Sequence, residues 1–167
     1  MLEIDLMIPI KDKGFALLDN FERTIKTANF DYILYNVPVW KHIYHALYWV
    51  DYWFCGPENY IGADFHEEGL DSIDIQPNKQ ITKEQLLLYQ QNVAKKSKEY
   101  LCKINDDMLN ELPKGCNSNR LGLILGQFRH AYVHLGNVNC TTIIETGEWP
   151  LVAGKADDHA KGLYGDE

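Results

Sequence analysis

Two histidines placed one helical turn apart in an apolar stretch are the residues best suited to do chemistry. His130 and His134 lie in RLGLILGQFRHAYVHLGNVNCTTII, where Arg129 is the one fixed charge between Leu121 and Ile144. Residues four apart lie side by side on a helix, so two neutral imidazoles at this spacing can bind one metal ion. Core histidines that are hydrogen-bonded to hydroxyl or backbone groups would show the same spacing, and both interpretations stay open here.

Two familiar metal motifs are excluded at this pair. Ala131 occupies the position at which H-E-x-x-H carries its general-base glutamate. The chain also contains no Glu-x-x-His, the motif of di-iron bundles. A metal ion held by these histidines would therefore have to provide most of the activation itself.

A third histidine, His45, lies in a second apolar segment, WKHIYHALYWVDYWF, at positions 40–54. Helical geometry points His45 nearly opposite to the aliphatic Ile43, Leu47 and Val50. An aromatic face around one histidine suits a pocket with a polar centre, and it equally suits packing at a subunit contact. The neighbours of His45 on this face are Tyr48, Trp49 and Tyr52.

The remaining histidines are weaker candidates. His42 precedes His45 by one turn and is a rival ligand. His66 in an acidic connection and His159 in a polar tail are expected to be solvated.

Helices must position these side chains, and hydrophobic periodicity predicts four of them, at about 15–35, 39–54, 82–104 and 119–146. Pro38 ends the first helix, because the residue before a proline avoids the helical region. Thr82 and Gln85 form a capping box at the start of the third helix. Gly147 is the expected stop of the fourth, which is so apolar that most of its circumference is predicted to be buried.

The connection at 55–81 is too long for ordinary antiparallel neighbours, so it predicts a crossover that leaves the second and third helices parallel. Alternation at residues 2–8 gives a faint strand signal that Pro9 cuts short. The predicted fold class is all-α, a four-helix bundle in one domain. Its core covers about 13–152, and a polar tail covers 153–167.

Composition excludes several function classes. The net charge is −8 without any Lys/Arg block, so nucleic acid is not an expected partner. No apolar run is long enough to span a membrane, and Glu3 and Asp5 lie where a signal peptide would be positive. The four cysteines form no C-x-x-C pair and are expected to be reduced, buried thiols of a cytoplasmic protein: Cys55, Cys102, Cys116 and Cys140.

These motifs together carry a resemblance. Trp40-x-x-x-x-His45 in the second helix, His130-x-x-x-His134-Leu-Gly-Asn in the fourth, and the closing Gly147-Glu-Trp-Pro150 resemble the DinB/YfiT-like family of metalloenzymes. The resemblance implies a bundle in up-down-down-up order and a three-histidine metal site made of His45, His130 and His134. It also implies a homodimer.

The resemblance further implies a metal-dependent thiol S-transferase or hydrolase that acts on small molecules, with a low-molecular-weight thiol as one substrate. Zinc and nickel are the metal ions expected most. The family usually carries Gln where this chain has Asn137. Gln127 and Asn137 are candidates to support the ligands, and the pocket candidates are Tyr48, Trp49 and Tyr52.

A hypothesis from another class competes with the enzyme. The bundle would then be a non-catalytic metal-binding or stress-associated module that forms dimers. The aromatic residues of the second helix would serve the contact between subunits, and they are Tyr44, Trp49, Tyr52 and Trp53.

Overall fold

The computed structural model describes residues 5–155 and 158–165. Its four long helices are α1 (Met7–Thr27), α2 (Val39–Trp53), α3 (Lys83–Lys103) and α4 (Arg120–Thr146). Two short strands, β1 (Ile33–Leu34) and β2 (Val37–Pro38), form an antiparallel hairpin before α2. Across this part of the chain, no helix combines the length and apolar character needed to cross a membrane.

Helices α2 and α3 run parallel, as the long connection between them predicts. The Tyr44 and Tyr89 rings are 5.9 Å apart near the start of both helices. Farther along both helices, Asp51 forms an ion pair with Lys96. Because the contacting residues advance in the same direction along both helices, α2 and α3 must be parallel.

Helices α1 and α4 also run parallel to each other. Thr24 Oγ1 donates a hydrogen bond to Asn139 Oδ1 at 3.0 Å, and Asn29 Nδ2 donates one to Glu145 Oε1 at 2.8 Å. The order is therefore up-down-down-up, because α2 and α4 are antiparallel. That orientation follows from the ring contacts His42–His134, His45–His130 and Phe54–Phe128.

The predicted bounds of the first helix are wrong at both ends. Helix α1 begins at Met7 because Pro9 lies in its first turn, where a missing N–H breaks no helical hydrogen bond. It ends at Thr27, and the following hairpin turns through Tyr35 and Asn36, both with positive φ (50° and 68°). The predicted strand at 2–8 is wrong over residues 5–8, where no strand forms and α1 begins at Met7, and its residues 2–4 lie outside the described part.

The predicted ends of the later helices are confirmed. Thr82 Oγ1 accepts a hydrogen bond from Gln85 N, and the Gln85 side chain accepts one from Thr82 N. Asn119 caps the start of α4, and Gly147 ends it in the left-handed conformation with φ 76°.

The predicted burial of α4 is wrong. Although the core is continuous across the four helices, one whole face of α4 lies at the surface. Gly126 has open space where a Cβ would lie, so it provides no close backbone approach. The large apolar residues exposed along α4 are Leu125, Tyr132, Val133 and Ile144.

Candidate metal centre

Helices α2 and α4 bring the three predicted histidines together. One ring nitrogen from each of His45, His130 and His134 lies within 4.8 Å of the others. The Nε2 atoms of His45 and His130 are 3.1 Å apart. All three side chains are half-buried, so this group could hold a metal ion.

The local sequence explains why these side chains converge. On α2, Ile43, Leu47 and Val50 are fully buried in the core. Their burial turns the opposite stripe, which carries His45, toward α4. The i, i+4 spacing then brings the His130 and His134 rings to 4.6–5.0 Å from the ring of His45.

The main chain of the crossover orients His45. The Nδ1 atom of His45 lies 2.5 Å from the carbonyl oxygen of Asp71, which can only accept a hydrogen bond. Nδ1 therefore carries the proton, and Nε2 presents its lone pair toward His130. This is the usual arrangement of a metal-binding histidine, whose second nitrogen donates to a carbonyl or carboxylate.

Burial keeps the cluster neutral. It lowers the pKa of His130 to about 4, with smaller contributions from His45 and Arg129, and that of His134 to about 3, with smaller contributions from His45, His130 and His42. Burial also lowers the pKa of His45, against the opposing effect of the Asp71 carbonyl. Neutral imidazoles are the form that binds metal, so the folded chain maintains the competent state at neutral pH.

In the segment of α4 that carries the two histidines, residues 127–134, three buried polar atoms have no hydrogen-bond partner among the described residues. They are His130 Nδ1, His134 Nδ1 and Gln127 Oε1. Leaving such an atom unpaired costs about 1–3 kcal/mol. A polar centre of this kind therefore favours a bound ligand or ion that does not belong to the protein.

The donor set suits a divalent transition metal, and one of its separations matches the spacing of bound ligands. Nitrogen ligands at ~2.0–2.1 Å in tetrahedral geometry lie about 3.3 Å from one another. The 3.1 Å between the Nε2 atoms of His45 and His130 is close to that separation. Three protein ligands leave coordination positions open, as in catalytic rather than structural sites.

The other histidines do not join this group. His42 Nε2 hydrogen-bonds with the Leu34 carbonyl at 2.7 Å, so this rival binds the hairpin instead. The expectation that His66 is solvated is wrong, because it is half-buried and its Nδ1 lies 2.7 Å from Tyr44 Oη. The His159 side chain lies outside the described residues.

An open cleft of about 360 Å³ adjoins the cluster. Its lining consists of Trp49, Trp53, Gly126, Gln127, Arg129 and His130. Of the predicted pocket residues, Trp49 contacts His45 edge-on, with ring centroids 6.4 Å apart. Tyr48 and Tyr52 pack against both Trp49 and Tyr60, and a supporting role for the half-buried Asn137 stays a prediction.

Three residues that contribute to this site or its cleft are not among the site residues predicted from the sequence. Asp71 contributes through its carbonyl, which no residue type could reveal. Trp53, which the non-catalytic hypothesis assigns to a subunit contact, lines the cleft one helical turn after Trp49. Arg129 was detectable as the one fixed charge between Leu121 and Ile144, directly before His130.

The cysteines lie apart from the histidines and are all free. Cys55 is buried and its pKa is raised by burial to about 11, so its thiol stays protonated. The expectation that all four are buried is wrong for Cys102 and Cys140, which are exposed. Within the described residues, the metal candidate cluster contains imidazoles alone.

Comparison with known proteins returned no relative: no family model, no curated protein and no solved structure matches the chain.

Proposed function

We propose that this chain is a divalent-metal-dependent enzyme that acts on small molecules, as a thiol S-transferase or a hydrolase. The observation that carries the proposal is the convergence of His45, His130 and His134 within 4.8 Å, beside an open cleft. Neutral imidazoles suit zinc and nickel, which we propose as the resident ions.

Each histidine has a definable task in such a site. His45 is held in one tautomer by the Asp71 carbonyl, so its lone pair is aimed before any ligand arrives. His130 and His134 stay neutral because they are buried. A bound divalent ion would act as a Lewis acid that lowers the pKa of a thiol or water.

The resemblance to the DinB/YfiT-like family is part of this proposal. Two features support it: the up-down-down-up order of the helices, and the grouping of the histidines from the second and fourth helices.

The test separates metal binding from turnover. Untagged protein is purified, its zinc and nickel content is measured, and the metal-loaded form is assayed for conjugation of small thiols to electrophiles and for ester and amide hydrolysis. Metal-dependent turnover supports the enzyme. Stoichiometric metal without turnover on a broad panel favours the non-catalytic binding module, and a chain that binds no divalent metal contradicts both.

We also propose a homodimer, through a surface different from the one predicted. Tyr44 is fully buried and cannot form a subunit contact. The apolar face of α4, with Leu125, Val133 and Ile144 at 52–68% exposure, is the better candidate. Free cysteines throughout suit a reducing cytoplasm, which remains the proposed location.

A further inference from the structure

The cleft beside His130 has flat apolar walls. Trp49 and Trp53 are one turn apart on α2, are both half-buried, and face α4 across the opening. Gly126 lies opposite, with no heavy atom within 4 Å of where its Cβ would be. Two indole rings and a missing side chain leave a space suited to a thin, unsaturated group.

The same cleft has two polar groups that the protein leaves unused. Arg129 is exposed, and the described residues include no carboxylate paired with its guanidinium. This is notable in a chain of net charge −8, which offers many acidic residues. Gln127 Oε1 is buried and has no hydrogen-bond donor within the described part of the chain. A ligand that satisfies both groups carries an anion and an N–H or O–H donor.

From this geometry we propose that the cleft binds a small, flat carboxylate, with the carboxylate on Arg129 and the unsaturated body between the tryptophans and Gly126. Arg presents a planar fork of donors that matches a carboxylate in a bidentate manner. The cleft includes His130, so the bound body lies beside the histidine cluster. That this ligand is a substrate rests on the proposed function; that it binds does not.

Benzoate is the probe for this cleft, and benzamide is its neutral counterpart of the same shape. Calorimetric titration of the metal-loaded chain should show benzoate binding more tightly than benzamide. Arg129→Gln should weaken benzoate by about tenfold and leave benzamide nearly unchanged, because only the carboxylate uses the guanidinium. Lys95→Gln, an exposed lysine on α3, is the matched control and should change neither affinity.

Position 126 tests the location of the flat body. Gly126→Trp should fill the cleft and abolish benzoate binding, whereas Gly126→Ala adds one methyl group to open space and should preserve it. Both variants should fold, since glycine is the poorer helix former at a helical position. Benzoate affinity that is unchanged in Arg129→Gln or in Gly126→Trp overturns the proposal, as does equal affinity for benzoate and benzamide.

Metal content is measured on every variant and on the wild-type chain. A wild-type chain that binds benzoate but no zinc would contradict the proposed function and keep the anion cleft. Zinc binding without any benzoate affinity would contradict the anion cleft and leave the proposed function in place. The two failures are therefore distinguishable.

Discussion

The Nε2 atoms of His45 and His130 lie 3.1 Å apart, although 85 residues separate the two positions in the chain. The Asp71 carbonyl holds the proton of His45 on Nδ1, so a hydrogen bond between these atoms in the metal-free protein needs its proton from His130. A divalent ion held by His45 and His130 would take the place of that proton. The two ring nitrogens therefore already lie close together before any ion is bound.

The first prediction concerns the choice of ligand on α2. His45→Ala should lose stoichiometric zinc binding, because two imidazoles from one helix remain. His42→Ala is the matched control and should retain it, since His42 binds the Leu34 carbonyl of the hairpin. Equilibrium dialysis followed by elemental analysis measures both, and the reverse pattern would shift the site by one turn.

The second prediction concerns pH. Histidine ordinarily titrates at 6.5, but burial lowers the pKa of His130 to about 4 and that of His134 to about 3. The unfolded chain therefore takes up protons first, and the free energy of unfolding of the metal-free protein is full above about pH 6.5 and declines toward about pH 4. Calorimetric melting with a chelator should show this decline.

The gain in melting temperature on adding zinc should be lost at a lower pH than the pH at which the stability of the metal-free protein begins to decline. It depends on neutral histidines in the folded chain, so it should persist down to about pH 5 and disappear near pH 4. Unperturbed histidines would lose it near pH 6. Melting curves that are identical with zinc and with chelator at every pH would identify the three residues as core histidines.

The third prediction concerns a buried ion pair away from the site. The fully buried Asp51 carboxylate accepts hydrogen bonds from Lys96, from Tyr89 Oη at 2.7 Å and from Gly62 N at 2.9 Å. Asp51→Asn should lower the free energy of unfolding by about 3–5 kcal/mol, because it leaves the Lys96 charge without its partner. Urea denaturation measures this change.

The control for that variant is a surface pair. Glu22 and Lys26 form an exposed i, i+4 ion pair on α1. Glu22→Gln should change the free energy of unfolding by about 0.5 kcal/mol or less. Equal effects of the two substitutions would mean that the Asp51 network contributes no more than a surface pair.

The fourth prediction concerns association. Ile144→Glu places a charge on the apolar face of α4, and we expect it to convert the dimer to a monomer in light scattering at micromolar concentration. Ile33→Glu alters an equally exposed isoleucine in the hairpin and should leave the mass unchanged. A monomeric wild-type chain would refute the dimer itself.

The sequence predicts the later helices well because their ends carry explicit signals. Thr82 with Gln85 and Gly147 each fix a helix end through local hydrogen bonds or backbone conformation. Helix α1 carries a weaker signal: the Asp5 carboxylate accepts a hydrogen bond from Met7 N, but Pro9 in the first turn conceals this start, and the end at Thr27 precedes a hairpin that the apolar pattern hides. The predicted bounds of this helix are therefore wrong at both ends.

The spacing of His130 and His134 pairs them on one side of a helix, and periodicity places His45 opposite the aliphatic residues of α2, but the choice of His45 over His42 rests on the family resemblance. The surroundings of the three histidines could not be predicted from the sequence. The exposure of α4 depends on how many helices pack around it, and apolar content alone does not record that number. His45 is oriented by a main-chain carbonyl. Every residue type carries this group, so the side chains of the sequence cannot reveal which one binds His45.

Part of the crossover between α2 and α3 is held through its carbonyl groups. His45 binds the carbonyl of Asp71, and Lys41 binds that of Ile75. Replacing the side chains at positions 71 and 75 leaves these carbonyls in place, whereas deleting one residue before them displaces each carbonyl by about 3.8 Å. A mutational scan should therefore find positions 71 and 75 permissive to substitution and the segment before them intolerant of deletion, so that the histidine cluster depends more on the length of the crossover than on the side chains at these two positions.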